Sequence, residues 1–335
     1  MGKRSPRLQR PKTVAACLCL LALLSGFTPS PPPQTKPPPV VVATVRPIAA
    51  LVEAVMVSAG GPVTLIPPDQ APESFVLRGA DMDTLRQADL VFWVGPSLEG
   101  ALAKPLADLE TGARIVELSE TAGLLIHPPR RGGEWDLPAP ASRLPDSRSP
   151  DEVGGPQGAD GHLWLDADNV KLLIGRIAMA LTDVDFGHAE IYRMNAAALR
   201  KRVDALDQEI ARELSPLRGG AFLPLHDAFQ YWEVRYGLEG EGSICVSAEP
   251  LTEAALQEIA AKVARAKARC ILGGPDSDAA ALAAIGAATG VRTDRIDIYG
   301  DGQGGSGDLF LDMMRKTADG FARCLGDGEN LSQTP

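Results

Sequence analysis

The stretch Ala189–Leu214 runs for 26 residues without a glycine or a proline. Its apolar residues Ile191, Met194, Ala198, Leu199, Val203, Leu206 and Ile210 recur at helical spacing, which predicts one amphipathic helix. At about 1.5 Å per residue such a helix is on the order of 39 Å long. It lies past the middle of the chain, so the segments on either side must fold around a rigid rod.

On both sides of that rod, continuous apolar runs alternate with helical patterns. Before it, Val40–Val45, Val63–Ile66, Asp89–Gly95 and Arg114–Leu118 read as strands, with helices at Pro47–Met56, Asp81–Gln87 and Ser97–Leu109. After it, Ala221–His226, Gly242–Val246, Cys270–Gly273 and Arg295–Tyr299 read as strands. Helices are expected there at Ala228–Tyr236, Thr252–Lys267, Asp278–Thr289 and Gly307–Leu325. Unbroken apolar strands separated by helices indicate a parallel sheet covered on both faces. The expected fold is therefore α/β, with two lobes joined by one long helix. Each lobe is a roughly four-stranded parallel sheet with flanking helices. The expected bounds are 40–187 for the first lobe, 188–217 for the linking helix, 218–327 for the second lobe and 328–335 for a disordered tail.

The ends carry other signals. Lys3, Arg4, Arg7, Arg10 and Lys12 precede the apolar run Val14–Leu24, which is short for a membrane span and has the layout of a secretory signal. Residues 1–27 are assigned to it, and the proline-dense 28–39 to an extended spacer. The whole chain has net charge −10; without the signal's cations it is about −15. That balance argues against nucleic acid and favours the attraction of cations. No membrane insertion of the mature chain is expected. Residues 123–160 are rich in proline, glycine, serine and aspartate, and read as a long mobile loop.

Three cysteines remain after the signal: Cys245, Cys270 and Cys324. Cys245 lies in an apolar run and reads as a buried thiol. Cys270 opens a strand and Cys324 closes the last helix. Either they bridge and staple that helix to the sheet, or they are two unpaired thiols; export makes the bridge permissible.

The chemistry lies in polar residues that break apolar runs. The chain has only 4 histidines. His162 stands in Asp-Gly-His-Leu-Trp-Leu-Asp, and His226 in Leu-Pro-Leu-His-Asp-Ala-Phe. Asp297 breaks the run Asp-Arg-Ile-Asp-Ile-Tyr-Gly at the last expected strand, with Asp294 and Asp301 as competitors for its role. In an open parallel sheet, ligands bind beyond the carboxyl ends of the strands. Imidazole and carboxylate together form a ligand set for a divalent transition metal. Taken singly, a histidine at a strand end is more often a hydrogen-bonded structural residue than a ligand, and an aspartate near a glycine-rich turn is more often a turn former.

The frame around these residues is specific. Leu77-Arg78 is followed by Gln87-Ala88-Asp89-Leu90-Val91-Phe92-Trp93-Val94-Gly95, then by Gly161-His162-Leu163-Trp164-Leu165-Asp166. Next come His226-Asp227-Ala228-Phe229-Gln230-Tyr231-Trp232, Arg235-Tyr236-Gly237-Leu238 and Glu249-Pro250. The chain resembles the periplasmic zinc-binding component of bacterial zinc ABC importers, the ZnuA type, within the zinc and manganese solute-binding proteins. The resemblance implies two α/β lobes with Zn2+ held between them as the transported ligand. It makes His162 and His226 ligands, Asp297 the acidic ligand of the second lobe, and Cys270–Cys324 a disulfide. The family's first histidine falls on Glu73 in Pro72-Glu73-Ser74-Phe75. That departure gives a set of Glu73, His162, His226 and Asp297, harder than three imidazoles, and makes Mn2+ the alternative cargo. His127 or water is the alternative to Glu73. Family members often carry a histidine-rich insertion where 123–160 stands; here its only histidine is His127.

The function so implied is capture of Zn2+ in the periplasm by a monomer. Delivery is to an inner-membrane ABC permease driven by its ATPase, with no enzymatic activity. A zinc-dependent hydrolase is the rival of another class; no His-Glu-x-x-His or Gly-x-Ser-x-Gly motif accompanies the site.

Overall fold

The computed structural model describes residues 2, 37–130, 135, 158–244, 251–275, 277–300 and 308–326. The signal apart from Gly2, most of the spacer, Cys245, Glu249, Pro250, Asp301 and the tail lie outside the described residues.

The first sheet has strands β1 (Val41–Ala43), β2 (Val63–Thr64), β3 (Leu90–Trp93) and β4 (Arg114–Glu117), in the order β2-β1-β3-β4. All its pairings are parallel, with Val42 opposite both Val63 and Val91, and Val91 opposite Ile115. The helices α1 (Arg46–Met56), α2 (Gly79–Arg86) and α3 (Gly100–Ala107) connect these strands. Next come α4 (Ala167–Val184) and α5 (Ala189–Leu214). The N-terminus of α4 is capped by Asp166, whose carboxylate accepts from Asn169 N at 2.8 Å.

The second sheet repeats the plan. Strands β5 (Ala221–Pro224), β6 (Glu239–Gly240), β7 (Cys270–Gly273) and β8 (Arg292–Arg295) are ordered β6-β5-β7-β8, again parallel throughout. Helices α6 (Gln230–Tyr236), α7 (Glu253–Ala266), α8 (Ala279–Thr289) and α9 (Leu309–Leu325) accompany them.

Side chains leave a strand alternately to its two faces. On β5 and β7, Phe222, Cys270 and Leu272 join the main core, while Leu223 and Ile271 enter a separate, smaller one. The small core is completed by Leu225, Ile244, Ile259, Val263, Ala268, Leu282 and Ile285, so α7 and α8 rest on a patch of their own. The main core runs without interruption from Val41 and Ile48 to Phe321 and Leu325, through both lobes.

The helix α5 spans the predicted residues. Its buried stripe is Tyr192, Ala196, Leu199, Val203, Leu206, Ile210 and Leu214, and it packs against α1, α4 and α9. Two expected core positions, Met194 and Ala198, are exposed instead. The apolar spacing fits two stripes near the start of this helix, and the large Tyr192, whose hydroxyl donates to Asp185 at 2.7 Å, decides between them.

Two strands differ from the expected positions. Of the strand expected at Gly242–Val246, residues 242–244 are not in a strand and 245–246 lie outside the described residues; β6 is at Glu239–Gly240, and the chain bends at Gly242, where φ is +125°, although Ile244 N still donates to Pro224 O at 2.9 Å. The strand expected at Arg295–Tyr299 lies at Arg292–Arg295. As an edge strand it is charged and half-exposed. Ile298 and Tyr299 are buried for another reason. Trp164 Nε1 donates to Ile298 O at 3.0 Å, and its ring lies 6.2 Å from that of Tyr299.

Cys270 and Cys324 form a disulfide between β7 and α9, with their Cα atoms 5.5 Å apart and 54 residues of separation. Closing a loop of this length stabilises the fold by about 4 kcal/mol in the chain-entropy picture. No helix among the described residues is long and apolar enough to cross a membrane.

Candidate metal centre

Three of the candidate ligands come together at the carboxyl ends of the strands. Glu73 follows β2 in the short 3-10 turn Pro72–Ser74, which buried Pro72 and Phe75 anchor on either side. His162 begins the turn Leu163–Leu165, whose three side chains are buried. His226 stands two residues beyond β5. His226 Nε2 lies 3.2 Å from Glu73 Oε1, and His162 Nε2 lies 3.3 Å from the same oxygen. The ligand atoms of all three residues fall within 4.8 Å of one another. Exposure is graded: the His162 side chain is 4% exposed, Glu73 31% and His226 45%. The group thus has a buried floor and an open mouth.

The electrostatics follow from this convergence. Burial pushes Glu73 towards neutrality, but its hydrogen bonds to His162 and His226 and their charges outweigh that. The carboxylate is held well below its ordinary range. Burial pushes His162 down; the charge and hydrogen bond of Asp160, with those of Glu73, outweigh it and push the imidazole up to about 10. In the absence of a cation the site stores a proton on His162.

Asp297 stands apart from the group of three. Its Oδ1 accepts from Tyr299 N at 2.9 Å and from Gly300 N at 2.7 Å, which closes a tight turn. The turn is near, since Ile298 O is the acceptor of Trp164, two residues beyond His162. Of its competitors, Asp294 lies on β8 and pairs with Arg323 at 2.8 Å. His127 is also outside the group; its ring packs 4.7 Å from that of Tyr231.

The described ends of the stretch expected to be mobile, 123–130 and 158–160, are tied down. Leu125 exchanges hydrogen bonds with the Asn169 side chain at 2.8 and 2.9 Å, and Asp160 N donates to His127 O at 2.8 Å. Residues 131–134 and 136–157 lie outside the described residues.

Three residues around the site escaped the sequence reading. Asp160 accepts from His162 Nδ1 at 2.8 Å and from His162 N at 2.9 Å. An acid two residues before a candidate histidine, across a glycine, was the signal available. Arg130 forms ion pairs with Asp227, next to His226, and with Glu233 at 2.5 Å. Nothing local to Arg130 announces partners about a hundred residues away. Glu99 is fully buried and bonded to residues that directly follow β1 and β3. Val94 N and Gly95 N donate to its Oε2 at 2.8 and 3.0 Å, and the Thr44 hydroxyl donates to Oε1. Burial pushes this carboxyl up to about 7 against those three donors.

Two α/β lobes, a long helix packed along them and an imidazole–carboxylate cluster at the strand ends define a two-lobed metal-binding protein. The chain belongs to the ZnuA family: the family of the periplasmic zinc-uptake complex component A matches residues 41–324. The high-affinity zinc uptake system protein ZnuA of Brucella abortus (strain 2308) is 31% identical over 306 residues, covering 85% of this chain and 91% of the relative. The periplasmic zinc-binding protein TroA of Treponema pallidum has the same fold, with a TM-score of 0.68 at 20% identity over 87% of this chain and all of TroA. Zn(II)-bound AdcA of Streptococcus pneumoniae superposes with a TM-score of 0.67 at 20% identity over 87% of this chain, which spans 58% of AdcA. Nothing in these comparisons favours a hydrolase.

Proposed function

We propose that this chain is a periplasmic solute-binding protein that captures Zn2+ between its lobes, residues 40–187 and 218–327, and delivers it to an ABC importer. One observation carries the reading: two imidazole nitrogens stand 3.2 and 3.3 Å from one carboxylate oxygen. With zinc–ligand bonds of about 2.0–2.1 Å, neighbouring corners of a tetrahedron are about 3.3 Å apart. Both edges to Glu73 have this length, and the ligand atoms of all three residues lie within 4.8 Å of one another, close enough to share one ion. The fourth position goes to Asp297 or to a solvent oxygen.

The protein binds its cargo and does not transform it. It acts as a monomer that docks, when loaded, on an inner-membrane permease with its ATPase. Glu73 favours a second cargo, Mn2+, because a carboxylate is a harder donor than the imidazole it replaces. Zinc–manganese competition on metal-depleted protein tests both readings, with Glu73→Ala, His226→Ala and Asp297→Ala beside the wild type. One zinc per chain is expected, with most affinity lost in His226→Ala and less in Glu73→Ala. A loss in Asp297→Ala assigns it the fourth corner; no loss assigns that corner to solvent. Wild-type protein that takes up neither ion refutes the proposal.

A further inference from the structure

We infer that Asp160 is a positioning residue of the metal centre: it fixes His162 so that Nε2, and not Nδ1, faces the cation. The inference rests on the zinc reading above and concerns a residue outside the ligand set.

Asp160 holds His162 at two points with one oxygen. Oδ1 lies 2.9 Å from the backbone N and 2.8 Å from ring Nδ1. The backbone contact alone would be an ordinary turn. The ring contact is different, because Nδ1 must keep its proton to donate it, which leaves Nε2 as the only nitrogen able to offer a lone pair. Nε2 is the atom that points at Glu73.

Asp160 is itself held. Its N donates to His127 O at 2.8 Å, and its O accepts from the Tyr231 hydroxyl at 2.9 Å. The same hydroxyl accepts from His127 N at 3.2 Å, and Tyr231 is fully buried on α6. Gly161, between acid and histidine, lies against Leu98; a Cβ there would stand 2.6 Å from Leu98 Cβ and 3.1 Å from its Cα. The acid–glycine–histidine step therefore has no slack at either end. The Asp160 side chain is 7% exposed, and a carboxylate so buried needs a charge-assisted donor, which the imidazole supplies. Carboxylates in this relation to a metal-bound histidine set its orientation and raise its basicity as a ligand.

The test compares wild type, Asp160→Ala, Asp160→Asn and His226→Ala. Zn2+ affinity is measured by competition with a chromophoric chelator, and the His162 Nδ1–H resonance by 15N–1H NMR with and without zinc. Melting of the metal-free proteins controls for folding. Asp160→Ala should lose about 10- to 100-fold in affinity and lose the protected Nδ1–H signal, while melting as a folded protein. Asp160→Asn keeps an acceptor oxygen and should recover most of the affinity and the signal. Asp160→Ala binding within twofold of wild type overturns the inference, as does Asp160→Asn binding as weakly as Asp160→Ala. If wild type binds no zinc, the site reading itself falls, and the Nδ1–H signal of the metal-free proteins still decides whether Asp160 holds the ring.

Discussion

In the proposed metal centre Glu73 is the hard donor. Its oxygen sits where both imidazole nitrogens converge, so replacing it changes the chemistry without moving the frame. Glu73→His should raise the preference for zinc over manganese by about tenfold or more, because an imidazole is the softer donor; competition between the two ions reads this directly. The proton on His162 gives a second prediction. With its pKa pushed up to about 10, the metal-free imidazole is protonated at neutral pH, and the cation must displace that proton. Apparent zinc affinity should therefore fall about tenfold for each unit of acidification between pH 8 and 6. Calorimetry in buffers of different ionisation heat should find about one proton released per zinc from this residue. A pH-independent affinity contradicts this. His162 and His226 were legible as candidates because each interrupts an apolar run, and Glu73 only because the family's first histidine position falls on it. Asp160 was not, since its part depends on which ring nitrogen it meets, and that is set by a backbone turn and by Tyr231 from a distant helix.

Helix α6 belongs to the second half of the sequence, and its Trp232 ring stacks 5.9 Å from Phe321 of α9. Its polar groups, however, reach the first half. Arg235 pairs with Asp166 at 3.0 Å and Asp168 at 3.1 Å, as well as with Asp207 of α5 at 2.5 Å. Tyr231 holds Asp160, and Arg130 grips Glu233 together with Asp227 just before the helix. His226 is thus anchored to elements of both lobes. Arg130→Ala would leave Glu233, whose side chain is 7% exposed, as a buried acid without its cation. The expected cost is about 3 kcal/mol, read as an earlier denaturant midpoint, with weaker zinc binding because Asp227 adjoins His226. An unchanged midpoint contradicts this. The helices and most strands were readable from apolar periodicity, and these ties were not: they join residues 28 to 103 positions apart. The charged edge strand Arg292–Arg295 was missed for a related reason, since an edge needs no apolar run to pair on one side.

The described residues of the two lobes share one core, with a lesser one under α7 and α8. The repeated alternation of strand and helix made the twofold plan legible, but not how the apolar faces divide between the two cores, which depends on strand order. A continuous core and a helix packed along both halves leave room for only small displacements when a cation binds, on the order of 1–2 Å at the seam between lobes. The same division has a second outcome. Leu223 and Ile271 leave the sheet on the side away from the disulfide, and among the described residues no disulfide fastens the layer above them. Amide hydrogens in α7 and α8 should exchange with deuterated solvent earlier than those of α5 and α9. Saturating zinc should slow exchange around His162 and His226 far more than in that outer pair. A rising temperature would then peel this layer first, while the cargo stayed seated.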